Sequence, residues 1–237
     1  MLNCANLFGV LARRSRSGGF AYPRVHGDVV KRGSLVTFEG LDGCGKSTQF
    51  ARFVAARERE AVDLLATREP TNGPWGQRVR ALARSGEAVP VEEELSWFVA
   101  DRREHVDTQI EPALAAGAVV ACDRYYHSTV AYQGARGLDA WQILEDHERD
   151  FPVPELTLYF ALPAAECIER IRARGEPVDA AFERLEFLER AEVIFDELAT
   201  ARDAIVVVDA SGSEDEVETR TAAIWEHFAA ERQRAGD

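Results

Sequence analysis

The segment Gly40-Leu41-Asp42-Gly43-Cys44-Gly45-Lys46-Ser47 satisfies G-x-x-x-x-G-K-[ST], and that pattern needs one local geometry: a strand, a glycine-rich turn and the opening of a helix. Glycines let successive backbone N–H groups turn inward around a phosphate, and the helix that follows adds the positive end of its dipole. Lys46 brings a point charge to the outer phosphates, and Ser47 offers a hydroxyl oxygen to the Mg²⁺ that accompanies them. A chance match in a chain of this length occurs on the order of one time in a hundred. Context lowers the odds further, because the apolar run Ser34–Glu39 precedes the loop and a helical pattern, Lys46–Glu60, follows it. Residues Gly40–Ser47 are therefore the expected triphosphate cradle.

From Ser34 onward such runs alternate with helix-length segments. The candidate strands are Ser34–Glu39, Val62–Thr67, Ala118–Asp123, Leu156–Leu162 and Ala204–Asp209. They are near-continuously apolar, as strands covered on both faces are. Between them lie Gln77–Ser85, Val91–Ala116, Leu138–Asp150, Ala164–Arg174, Glu183–Ala199 and Glu214–Arg232. This order predicts a three-layer α/β domain over 34–237 with a five-stranded parallel sheet and right-handed crossovers.

Charge narrows the partners. The chain has 237 residues with 28 Lys+Arg against 41 Asp+Glu, yet residues 1–33 hold six bases and one acid. Residues 34–237 thus carry 22 bases and 40 acids, a balance that repels nucleic-acid polymers at long range. An anionic ligand must be held by a few local arginines. Lysine occurs only at Lys31 and Lys46, which sharpens the meaning of Lys46. The basic, Ser/Gly-containing start reads either as a transit peptide or anion-binding arm, or as a disordered extension or start-site artefact, with the extension favoured. No run of 18 apolar residues predicts a membrane span. Cys4, Cys44, Cys122 and Cys167 lack metal-ligand spacing and read as reduced thiols of a cytoplasmic protein.

The loop alone does not say what the triphosphate is used for. The asparagines, Asn3, Asn6 and Asn72, do not precede lysine, so an N-K-x-D guanine reader is missing and a GTPase is disfavoured. The second strand leads into Thr67-Arg68-Glu69-Pro70 and the third ends in Asp123-Arg124-Tyr125, at the sheet edge where open α/β sheets bind ligands. Phe98 and Arg102, at i and i+4, place an aromatic face beside a guanidinium, a pair suited to a planar base.

Together FEGLDGCGKSTQ (Phe38–Gln49), TREP (Thr67–Pro70), WFVADRRE (Trp97–Glu104) and DRYYHSTVAYQG (Asp123–Gly134) resemble the signatures of the thymidylate kinase (dTMP kinase) family. The resemblance implies the nucleoside-monophosphate-kinase variant of the P-loop fold with a helical lid, a homodimer, and transfer of the γ-phosphate of ATP to dTMP with Mg²⁺. It further implies that Gly40, Leu41, Asp42, Gly43, Cys44, Gly45, Lys46, Ser47 and Thr48 hold ATP, that Ser47 and Asp123 meet the metal, and that Asp42 sits near the acceptor sugar. Lys46, Asp42, Arg68 and Arg124 would be catalytic, with Arg68 and Arg124 gripping the acceptor phosphate. Phe98 would stack on thymine, Arg102 would bond its edge, Thr129 would lie by the base, and Tyr132 would close off the sugar 2′ position. The lid cation would come from Arg170, Arg172 or Arg174, or from Arg184, since Asp179 stands where the family pattern leads one to expect arginine.

The residues leave rivals open. Arg68 and Arg124 could be structural partners of Glu69 and Asp123. A deoxynucleoside kinase would use Glu69 as a base on a neutral 5′-hydroxyl. A third reading is a nucleotide-binding protein with little turnover on the same fold.

Overall fold

The computed structural model describes residues 32–85, 88–173 and 181–234. Five strands form one parallel sheet: β1 (Ser34–Glu39), β2 (Leu64–Arg68), β3 (Val119–Asp123), β4 (Leu156–Ala161) and β5 (Ile205–Asp209), in the order β2-β3-β1-β4-β5. All six residues of central β1 are buried, whereas edge strands β2 and β5 are covered only in part. Side chains alternate across the sheet. Phe38 packs on Phe53 and Phe53 on Trp225, with ring centroids 5.1 and 5.2 Å apart, joining β1 through α1 (Lys46–Arg59) to α9 (Glu214–Arg234). The next residue, Glu39, points to the opposite face.

That second face is built from α3 (Val91–His105), α5 (Tyr126–Ala135), α6 (Ala140–Asp150) and α8 (Ala181–Ala201), with α5 packed against the other three. The remaining helices are α2 (Pro74–Ser85), α4 (Glu111–Ala115) and α7 (Ala164–Ala173). Local chemistry sets several ends. Proline opens α2, where its missing N–H costs nothing. Asp139 caps α6 by accepting from the backbone N–H of Trp141 and Gln142 at 3.0 Å. Ser213 and Glu216 bond reciprocally as a capping box for α9.

Three expectations need correction. The stretch expected as one helix, Val91–Ala116, contains a π-helical turn at Val106–Ile110 between α3 and α4. Helix α5 went unpredicted because eight of its ten residues are buried, leaving no polar face to mark a 3.6-residue period. The basic extension lies outside the described residues except at its end, and there Arg32 and Gly33 belong to the domain. Arg32 forms a two-pronged ion pair with Glu111 at 2.9 Å, and the Gly33 N–H donates to Leu114 O at 2.8 Å. Among the described residues no helix is long and apolar enough to cross a membrane, and Cys44, Cys122 and Cys167 are buried free thiols.

Candidate active site

Between β1 and α1 the chain turns through Gly40, Gly43 and Gly45, at φ 143°, 92° and 93°. Backbone conformation is one reason for glycine here and space is another. A Cβ on Gly40 would lie 2.8 Å from Phe160 O, and one on Gly43 2.5 Å from Cys167 O. Helix α1 has no side-chain N-cap and no acid in its first turn, so no side chain competes with an anion for its leading N–H groups. Lys46 is buried and ion-paired with Asp123 Oδ1, while Ser47 Oγ donates to Asp123 Oδ2 at 3.0 Å. Burial, with Arg124 nearby, lowers the Lys46 pKa against the pull of Asp123. Burial acts to raise the Asp123 carboxyl, but Lys46, Arg124 and Ser47 together hold it below its ordinary value, so it stays ionised.

Arg124 follows β3 in the left-handed region, at φ 68°. Its guanidinium donates to Gly40 O at 3.1 Å, to Ser128 Oγ at 2.8 Å and to Asp42 Oδ1 at 2.6 Å, and it lies 5.3 Å from the Tyr132 ring centre. Burial opposes its charge, but Tyr132, Asp42, Glu39 and Asp123 more than offset that, so it is a fixed cation. Its ion-pair partner is Asp42, not the Asp123 that the structural alternative supposed.

Beside Arg124 opens a cavity of about 370 Å³ whose wall includes Asp42, Phe98, Arg102, Thr129, Tyr132 and Gln133. Pro70, Val79 and Phe187 make it largely apolar around those groups. Arg102 is 1% exposed. Its Nε and Nη2 donate to Glu69 Oε2 at 2.9 and 2.6 Å, and Nη2 also donates to Thr129 Oγ1 at 3.0 Å. Nη1 has no partner, and neither does the buried Oε1 of Gln133. The other Glu69 oxygen meets His105 Nδ1 at 3.0 Å. Burial would raise the Glu69 pKa, but Arg102 and His105 outweigh it and leave it lowered. Both oxygens are thus committed and weakly basic, so Glu69 is not the free base that a 5′-hydroxyl acceptor would ask of it. The Tyr132 hydroxyl accepts from the Asp42 N–H at 3.0 Å, and burial pushes its pKa up, keeping it a neutral phenol.

Asp42, Lys46, Ser47, Asp123, Arg124, Phe98, Arg102, Thr129 and Tyr132 therefore converge at one end of the sheet. Arg68 does not join them. It is exposed at the end of edge strand β2 and lines a separate polar cavity with Thr71, Asn72 and Glu104. Arg170 docks on Cys44 O at 3.2 Å and Ala210 O at 3.3 Å, against the loop backbone. Arg172 is exposed on α7, and Arg174 and Asp179 lie outside the described residues. Three residues at the site were missed: Gln133, Ser128 and Glu39. Gln133 sits one helical turn after Thr129, so recognising α5 would have found it. Glu39, a carboxylate ending a wholly buried strand, signalled itself by being a charge where a charge must be paired.

The family profile described as Thymidylate kinase matches residues 38–221. A thymidylate kinase of Desulfotalea psychrophila is 45% identical over 168 residues, covering 70% of this chain and 82% of the relative. One from Xanthomonas euvesicatoria pv. vesicatoria is 42% identical over 192 residues, 81% of this chain and 83% of the relative. One from Akkermansia muciniphila is 44% identical over 146 residues, 62% and 70% of the two chains.

Proposed function

The chain belongs to the thymidylate kinase family, and from that premise we propose how its residues carry the reaction ATP + dTMP → ADP + dTDP. The 5′-phosphate of dTMP is already an anionic nucleophile near neutral pH. One of its oxygens forms a bond to the γ-phosphorus as the bond to the β–γ bridging oxygen breaks and ADP leaves, with no proton to remove. The obstacle is repulsion between two polyanions, so the protein's work is positioning and charge compensation.

The observation that carries this reading is the placement of Arg124. Its guanidinium bonds Gly40 O in the phosphate loop and also walls the cavity, so one cation serves donor and acceptor sides. Lys46 and the N–H groups of Gly40–Thr48 hold the donor phosphates. A further cavity, of about 300 Å³, borders the same loop at Cys44, Gly45 and Thr48 beside Arg170, and suits the donor nucleoside. Ser47 and Asp123 present hydroxyl and carboxylate oxygens 3.0 Å apart, hard donors that fit Mg²⁺ completed by phosphate oxygens and water. When bound, Mg²⁺ neutralises charge on the transferring phosphates. In the acceptor cavity Phe98 offers a ring face to the base. The unpartnered Arg102 Nη1 and Gln133 Oε1 offer one donor and one acceptor, the complement of the O4 and N3–H edge of thymine. Tyr132, tied to Asp42, occupies the sugar end. Arg68 and Arg172 lie outside the lining of this cavity.

An acceptor screen tests the reading. The purified protein should form dTDP from ATP and dTMP and no dTMP from thymidine. Phosphorylation of thymidine at a comparable rate, or product formation no faster than with Lys46→Ala, would refute it.

A further inference from the structure

Glu39 is fully buried at the end of β1 and lies outside the lining of the acceptor cavity, yet both hydrogen bonds its carboxylate accepts lead to Arg124. Its Oε1 accepts the backbone N–H of Tyr125 at 2.8 Å, fixing the peptide that follows Arg124. The Arg124 N–H itself donates to Phe38 O at 3.0 Å. The left-handed backbone of Arg124, unfavourable for a residue with a Cβ, is thus pinned on both sides by the end of β1. The other oxygen, Oε2, accepts the Ser128 hydroxyl proton at 2.5 Å, and Ser128 Oγ in turn accepts from Arg124 Nη1 at 2.8 Å.

The polarity of this chain matters. An ionised carboxylate only accepts, so Ser128 must give its proton to Glu39 and keep its lone pairs for the guanidinium. A donor in place of Oε2 would turn the hydroxyl proton toward Arg124, which can only donate. His127 Nδ1 stands 3.9 Å from Oε1 with no hydrogen-bond partner of its own. Burial raises the Glu39 carboxyl to about 7 against the opposing pull of Ser128, Arg124, the Tyr125 N–H and Lys46, so the chain takes this polarity once the carboxylate ionises.

We infer that Glu39 is a positioning residue: through Ser128 and the 124–125 peptide it sets the direction in which Arg124 presents its guanidinium to the acceptor phosphate. This rests on Arg124 being the phosphate contact proposed above. Glu39 itself makes no contact with substrate in this role.

The test is steady-state kinetics of the full-length protein carrying Glu39→Gln, Ser128→Ala, the double change, and Arg124→Ala, with thermal melts of each. Glu39→Gln and Ser128→Ala should each lower kcat/KM for dTMP at least tenfold while KM for ATP stays within about twofold. The double variant should lose less than the product of the two single losses, because both changes act on the direction of the same guanidinium. Losses that multiply in the double variant, or unchanged dTMP kinetics in a folded Glu39→Gln, overturn the inference. If Glu39→Gln fails to fold, Ser128→Ala decides: unchanged dTMP kinetics there overturn it as well. Arg124→Ala separates the two levels. Should it leave dTMP kinetics intact, the site assignment fails; should it fall while Glu39→Gln and Ser128→Ala do not, only the positioning role does.

Discussion

Arg124 Nη2 lies 2.6 Å from Asp42 Oδ1, so the guanidinium at the end of β3 is anchored to a carboxylate of the phosphate loop. Charge-assisted contacts to a phosphate contribute roughly 1.5–3 kcal/mol. Arg124→Ala should therefore depress kcat/KM for dTMP tenfold or more and leave the Kd for ATP, read by calorimetry, nearly unchanged. Arg124→Lys should recover little, because a single ammonium replaces the planar fork whose Nη1 meets Gly40 O and Ser128 Oγ while Nη2 meets Asp42 Oδ1. A fall in ATP affinity with intact dTMP kinetics would misplace the residue.

Ser47 and Asp123 make a prediction about metal. Removing the hydroxyl leaves the carboxylate and the lysine in place, so Ser47→Ala should raise the Mg²⁺ concentration needed for half-maximal rate severalfold at saturating ATP. A chelator should abolish turnover of the unmodified protein. An unchanged Mg²⁺ titration in the variant would remove Ser47 from the metal site.

The Glu69–Arg102–His105 cluster predicts stability as well as function. Removing one partner of a buried ion pair strands the other and costs about 3–5 kcal/mol. Glu69→Ala should lose stability of that order in urea denaturation and weaken dTMP binding, since Arg102 walls the cavity. Unchanged stability would mean that the Arg102 charge finds another partner.

Several buried groups give the fold a pH dependence. Burial foremost, and Arg102 next, push His127 down to about 3 and His147 down to about 4. The native state keeps both neutral while unfolded histidine takes a proton below about 6.5, so stability is lost as pH falls through that value. Glu39 acts oppositely. Burial raises it to about 7, so the native state holds its proton where the unfolded chain has released it, and stability falls as pH rises from 4.5 to 7. Between 4.5 and 6.5 two histidines outweigh one carboxyl, leaving a net slope of about 1.4 kcal/mol per pH unit, with stability rising with pH. Urea midpoints should fall as pH drops from 6.5 to 4.5, and His127→Asn should flatten most of that slope. A slope untouched by the substitution would place the proton uptake elsewhere.

Much of this was legible in the sequence. The sheet, its five runs and the phosphate loop are signalled by local patterns, and β1 was placed to the residue. Phe98 and Arg102 follow from helical spacing alone. What hid was either wholly buried or dependent on tertiary position. Helix α5 has almost no solvent face, so Ser128 and Gln133 had no periodicity to place them. Arg68 and Arg124 both stand near strand ends, but β2 is an edge strand and β3 is not. Only the assembled sheet order reveals that one arginine faces the cavity and the other a neighbouring hollow.

The π-helical turn at Val106–Ile110 carries a consequence for how this chain tolerates length changes. Upstream of it Asp101, Arg102 and His105 look inward, and downstream Ile110 and Leu114 do too, which a regular 3.6-residue winding would not keep in phase over so many turns. The wide turn is a clutch between a reactive segment and a packing segment. Losing a single residue within it should let the winding tighten to an ordinary α-helix with both segments still in phase, whereas losing one outside it should swing one segment about a quarter-turn. In that second case either the Arg102 guanidinium leaves the cavity wall or two aliphatic side chains leave the core.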